Sequence, residues 1–228
     1  MSDLESTPEA TSQASSASPM AAPVRKRPRP GERRVQILQA LATMLEHPGA
    51  ERVTTAALAA RLDVSEAALY RHFASKAQMF EGLIDFIEQT VFSLVNQIVE
   101  RESASALAAP TADAQSGARQ AAKIVVMLMQ FAEKNPGMTR VMVGDALVFE
   151  NERLQQRMNQ FFDKVETALK QSLRSVADAS GSATPSVDTQ VRASVLSAFL
   201  VGRLQRFARS GFKKLPSEHL ESSLALML

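Results

Sequence analysis

Residues 54 to 76 read TTAALAARLDVSEAALYRHFASK. Two short helices and a sharp turn fit into this stretch. Thr54 is placed to cap a helix running through Leu62, with Leu58 turned inward. Asp63 stands where the chain must bend back, and Asp tolerates left-handed backbone better than most residues. Val64 then plugs the angle between the helices. Ser65 caps the second helix, and Glu66 lies in its first turn, where the helix dipole favours negative charge. Leu69 and Phe73 point to a core. The face left free carries Ser65, Ala67, Ala68, Arg71 and His72, with Tyr70 at its edge. This is the layout of a helix-turn-helix, in which one helix is offered to a DNA groove.

The residue types on that face suit a duplex. Small side chains at Ala67 and Ala68 allow close approach to base edges or thymine methyl groups. Tyr70 and His72 can donate to phosphate oxygens. Lys76 falls in the first turn of the following helix, whose free N–H groups also suit a phosphate. The hydroxyls of Thr54 and Thr55 can donate to the DNA backbone as well. Such contacts position a protein, whereas groove contacts specify sequence. A plainer role is open to each: Thr54 and Ser65 as caps worth about 1 kcal/mol, Tyr70 and His72 as ordinary surface residues.

Just upstream, residues 25–34 read RKRPRPGERR and hold six basic residues and one Glu, whereas Asp3, Glu5 and Glu9 are the only charges before them. A basic arm therefore precedes the helix-turn-helix, where it can track phosphates, although a solvated charge run would look the same. The net charge of +2 over 228 residues says nothing about partners. With no Cys, disulfides, thiolate metal sites and cysteine nucleophiles are excluded. No apolar run is long enough to cross a bilayer. The start has no apolar segment after a basic one, so a cytoplasmic location is expected.

Helical periodicity dominates the rest, and an all-α fold is expected. Residues 1–30 are rich in Ser, Ala, Thr and Pro and read as a disordered tail with the basic arm. Residues 31–78 form the expected DNA-binding domain and 79–228 the expected dimerisation and partner-binding domain. The first helix is predicted over 33–46, with Val35, Leu38, Leu41 and Leu45 on one face and His47-Pro48-Gly49 as its stop. Ser75 caps a long helix through Glu100 that includes Phe86 on its apolar face. The stretches 103–118 and 178–188 read as flexible loops. Further helices are predicted over 119–134, 138–147, 150–177 and 188–210. The 150–177 helix approaches a coiled-coil repeat, and the last carries Val191, Val195, Phe199, Leu204 and Phe207. Two long C-terminal helices can pair with their copies in a homodimer, or simply pack within one subunit.

The stretch 33–80, centred on SEAALYRHFASK (65–76), resembles the TetR family of transcriptional regulators. The resemblance implies an all-helical homodimer with a three-helix DNA-binding domain and a larger helical domain. Residues 32–101, KIVVMLMQFAEKNPGMTR (123–140) and GDALVFENERLQQRMNQFFDKVE (144–166) are similar to the branch of that family that acts in nucleoid occlusion. That implies binding at specific chromosomal sites and, in the DNA-bound form, antagonism of the cell-division protein FtsZ over the nucleoid; palindromic sites are expected from the symmetry of a homodimer. Phe86 and Asn135 match positions of that branch's FtsZ-contacting surface and Lys134 keeps a cation where an Arg is usual, while Leu94, Met127 and Gln130 depart from the pattern.

The alternative is a repressor of nearby genes that senses a small apolar ligand, through a pocket lined by Val125, Val126, Leu128, Phe131 and Met142. An enzyme is not expected. His47, His72 and His219 are scattered, no cofactor motif stands out, and no nucleophile or phosphate-loop pattern is present.

Overall fold

The structure is a computed structural model that describes residues 31–47, 53–108, 113–179, 181 and 183–228. The expected tail, most of the basic arm and the Pro48-Gly49 stop lie outside the described residues. Those described form helices joined by short turns, with no strand among them.

The first three helices are α1 (Glu32–Leu45), α2 (Thr55–Arg61) and α3 (Glu66–Tyr70). Ile37, Leu41 and Leu45 bury the inner face of α1, whereas Val35, expected inside, is 47% exposed. Thr54 caps α2 by accepting the Ala57 N–H at 3.1 Å, and Ser65 caps α3 by accepting the Ala68 N–H at 3.2 Å. Between them Asp63 adopts the left-handed conformation, with φ 53°. Leu58, Leu69 and Phe73 are buried beneath the turn.

Helix α4 (Lys76–Ala108) runs 33 residues, about 50 Å at 1.5 Å per residue. Ser75 accepts the Gln78 N–H at 3.1 Å, and the Gln78 side chain returns to the Ala74 N–H at 2.9 Å, a capping box displaced by one residue. The helix continues eight residues past the predicted end at Glu100, and α5 (Asp113–Lys134) starts before its predicted start at 119. Most of the expected loop 103–118 is therefore helical, and only 109–112 lies outside the described residues. Small Ala and Ser residues permit either state. The buried Glu102 carboxylate decides for helix here, because Lys123 and Arg119 of α5 both reach it.

Asn135-Pro136-Gly137 separates α5 from α6 (Pro136–Met142), with Pro136 at a first-turn position that needs no N–H. A methyl group on Gly137 would overlap the Ala42 carbonyl of α1. Helices α1 and α6 thus meet backbone to backbone. The predicted 138–147 helix is in fact α6 followed by a single 3₁₀ turn at Asp145–Leu147. Gly144 stands between them with φ 85°.

Helix α7 (Glu152–Ala179) buries Leu154, Met158, Phe161, Val165 and Leu169, the stripe its periodicity predicts. Helix α8 (Pro185–Arg209) buries Leu204 and Phe207 of the predicted set, together with Ala193, Leu196 and Leu200. Val191 and Val195 are 56% and 49% exposed. Along the same helix Ala198 is also exposed, and Gly202 has open space around it. Helix α9 (Leu220–Met227) closes the chain against α8 through Leu220 and Leu224.

Candidate nucleic-acid interface

Each N-terminal cap on the helix-turn-helix has a backbone partner. Thr54 and Ser65 accept from Ala57 and Ala68, which leaves each hydroxyl proton available to another acceptor. Both residues are exposed, as are Ala67, Tyr70 and Arg71, while Ala68 and His72 are half-buried. The sequence alone suggests independent hydroxyl donors. Instead they form a chain: Tyr70 Oη donates to Thr55 Oγ1 at 3.5 Å, and Thr55 Oγ1 donates to Glu66 Oε2 at 2.6 Å. Glu66, noted only for the dipole, thus joins α2 to α3 on the exposed face.

Lys76, expected as a free phosphate ligand, is already paired: its Nζ lies 2.5 Å from Glu150 Oε1. No local signal reveals this, because Glu150 sits in the turn before α7. Arg34, counted as part of the basic arm, also faces the protein. Its Nη1 donates to the His72 carbonyl at 3.0 Å, and its guanidinium carbon lies 4.2 Å from the Phe73 ring centroid.

Of the three expected partner-binding residues, Phe86 is 43% exposed, so the core position suggested by its spacing is wrong. Lys134 is exposed at the end of α5. The Asn135 carboxamide has a structural task, donating to the Phe131 carbonyl at 2.7 Å and so finishing α5. A row of ion pairs fixes the other side of α4 against α7. Arg153 pairs with Glu81 at 2.6 Å, and Arg157 with Asp85 and Glu88, each at 2.8 Å. Lys164 also bonds Glu88. Burial raises the Glu88 pKa, but Lys164 and then Arg157 outweigh it and hold the carboxyl below its ordinary value.

The residues expected to line an apolar ligand pocket are packed in the core. Val125, Leu128, Phe131 and Met142 are buried, and Val126 packs against them. A groove of about 660 Å³ lies instead between α4, α5 and α7, with Asn96, Gln120, Asp163, Lys164, Thr167 and Gln171 among its polar lining. Among the described residues, no group of His, Asp and Glu is arranged to hold a metal ion. Nor is any described helix long and apolar enough to cross a membrane.

A capped helix-turn-helix on a larger helical body defines a class, and the sequence comparisons agree. Residues 37–83 match the model for bacterial regulatory proteins of the tetR family, and residues 118–228 match the tetracyclin repressor-like C-terminal domain of SlmA-like type. The chain belongs to the TetR family. Within it, the chain is similar over most of its length to the nucleoid occlusion factor SlmA. It is 47% identical to SlmA of Aliivibrio fischeri over 88% of this chain and 96% of the relative. For SlmA of Vibrio cholerae the figures are 47%, 86% and 93%. Two solved structures share the fold at 14% identity. The regulator FadR of Bacillus subtilis, solved with stearoyl-CoA, has a TM-score of 0.64 and covers 85% of this chain and 96% of its own. A TetR-family regulator of Mesorhizobium loti has a TM-score of 0.60, with 89% and 98% covered.

Proposed function

We propose that the protein is a sequence-specific DNA-binding nucleoid occlusion factor. Bound to palindromic chromosomal sites as a homodimer, it antagonises assembly of the FtsZ ring over the nucleoid and so regulates cell division. The likeness to SlmA over 88% of the chain carries this reading. The exposed face of α3 and the solvent-facing stripe of α8 are consistent with it.

In this reading α3 enters the major groove. Ala67 and Ala68 approach the bases, Arg71 reaches base edges or phosphate, and Thr54, Thr55, Ser65, Tyr70 and His72 hold the DNA backbone. Lys76 turns to a phosphate at the cost of its Glu150 pair. The exposed Val191, Val195, Ala198 and Gly202 of α8 meet their copies, so two α3 helices read half-sites about 34–36 Å apart. Phe86 and Lys134 meet FtsZ, with Asn135 shaping the turn beside them. The protein then works in the cytoplasm, on the nucleoid.

The test is sedimentation of GTP-assembled FtsZ with this protein, with and without a duplex carrying its selected site. Polymer loss that deepens when the duplex is added is the expected result. Phe86→Ala and Lys134→Glu abolish that loss while DNA binding stays intact. No effect on FtsZ at full DNA saturation would sink the reading. A repressor gated by an apolar ligand would need a cavity where Val125, Leu128 and Met142 fill the core.

A further inference from the structure

Helix α3 spans only five residues, too short to hold its shape or direction by itself. Ser65 fixes its first turn. The turn that leaves it, past the C-cap Arg71, is held from outside. Arg34 does this from the first turn of α1: Nη1 donates to the His72 carbonyl at 3.0 Å. The same guanidinium lies 4.2 Å from the centroid of Phe73, the next residue along. The Phe73 ring in turn abuts α4. A methyl group on Gly82 would come 3.0 Å from Phe73 Cε1 and 3.4 Å from Leu38 Cδ2. The end of α3 is thus seated between α1 and α4, with an arginine closing it.

We infer that Arg34 is a positioning residue for the recognition helix, and that it acts on specificity through His72 and Phe73 rather than by holding a phosphate. The inference rests on the DNA-binding reading above. Its physical content is the difference between a charge and a fork. A phosphate ligand needs only the positive charge, which Lys keeps. A brace needs a planar group that bonds a carbonyl and covers a ring together, which Lys cannot reproduce. Loosening the end of α3 lets its exposed face drift relative to the bases. Contacts to base edges depend on orientation much more steeply than contacts to the diffuse phosphate charge.

The experiment uses the full-length protein and its Arg34→Lys and Arg34→Ala variants. Affinity is measured over a salt series for two probes: a duplex recovered by selection from random sequence, and a scrambled duplex of equal length. Both variants should lose roughly tenfold of the ratio between selected and scrambled affinity, as expected for a lost hydrogen bond and ring contact. Their salt slopes and scrambled-duplex affinities should match the wild type. Losing these contacts should lower the melting temperature by only a few degrees, and a wild-type circular dichroism spectrum at the assay temperature would separate the loss of specificity from misfolding. Gly82→Ala, which crowds the same ring from α4, should lower the ratio in the same way.

Two results overturn the inference. In one, Arg34→Lys keeps the wild-type ratio. In the other, Arg34→Ala weakens both probes equally and reduces the salt slope by about one, the signature of a phosphate ligand. A wild-type protein that does not discriminate between the two duplexes would instead overturn the DNA-binding reading itself.

Discussion

The Lys76 ammonium and the Glu150 carboxylate lie 2.5 Å apart and tie the start of α4 to the turn before α7. The two side chains are unequal, 32% and 9% exposed, so the acid is the anchored member. A duplex approaching the helix-turn-helix meets a lysine whose charge is already balanced. Glu150→Gln should therefore raise DNA affinity several-fold at low salt and steepen the salt slope by up to about one. The gain should be equal for all sequences. An unchanged slope in a fluorescence-anisotropy titration would place Lys76 away from the phosphates.

Thr54 performs two tasks that can be separated. Thr54→Ala removes the acceptor for the Ala57 N–H and should cost about 1 kcal/mol, which lowers the melting temperature of a chain this size by roughly 2–4 °C. DNA binding should weaken as well. Tyr70→Phe removes only an exposed hydroxyl, whose Thr55 contact is long at 3.5 Å, so binding should fall with no thermal shift. Calorimetry beside a binding titration resolves the two.

Acid should loosen the α4 contacts with α5 and α7. The Lys123 hydrogen bond holds the Glu102 carboxyl below its ordinary value of 4.5 despite burial; at Glu88 burial is the largest single influence and raises the pKa, but Lys164 and Arg157 together outweigh it and hold it low. A carboxyl lowered on folding contributes stability above its unfolded value and loses it as pH falls through the folded one. Urea unfolding should show a stability plateau near neutral pH and a decline below the ordinary carboxylate range. Glu88→Gln should be less stable at neutral pH, with a shallower decline on acidification.

Charge on the outer face of α8 should separate the subunits. Val191→Asp or Val195→Asp places a carboxylate where two copies would exclude water, and light scattering should report a monomer. Val148→Asp is the control, since Val148 is also an exposed valine but lies outside that stripe, and it should leave the mass unchanged.

What the sequence disclosed follows the range of the forces involved. Caps at Thr54, Ser65 and Ser75 act within three residues, and all three are where local chemistry puts them. The left-handed turn at Asp63 is equally local. Faces were harder to assign. Helix α1 has apolar residues at both Val35 and Ile37, and helix α8 is apolar on two sides, so periodicity finds the helix without saying which side its own core takes. Glu102, Arg34 and Lys76 each meet a partner far along the chain. Such pairs leave no mark in composition or spacing, which is why a helical stretch reads as a loop and an internal ion pair as a free cation.

The close backbone approach of Gly137 to Ala42 has a consequence for operator geometry. Helix α1 carries the helix-turn-helix, and α6 is embedded in the body that also bears α8. The two helices leave no room for a side chain between them at this joint. A dimer that keeps the joint closed on DNA holds its two reading heads at a fixed reach and a fixed twist. One base pair inserted between half-sites moves the second by about 3.4 Å and turns it by about 35° around the duplex axis. A hinged protein would swing to follow that change. A dimer with the joint closed would meet it with only one head engaged, so that spacer length becomes part of the sequence that it reads.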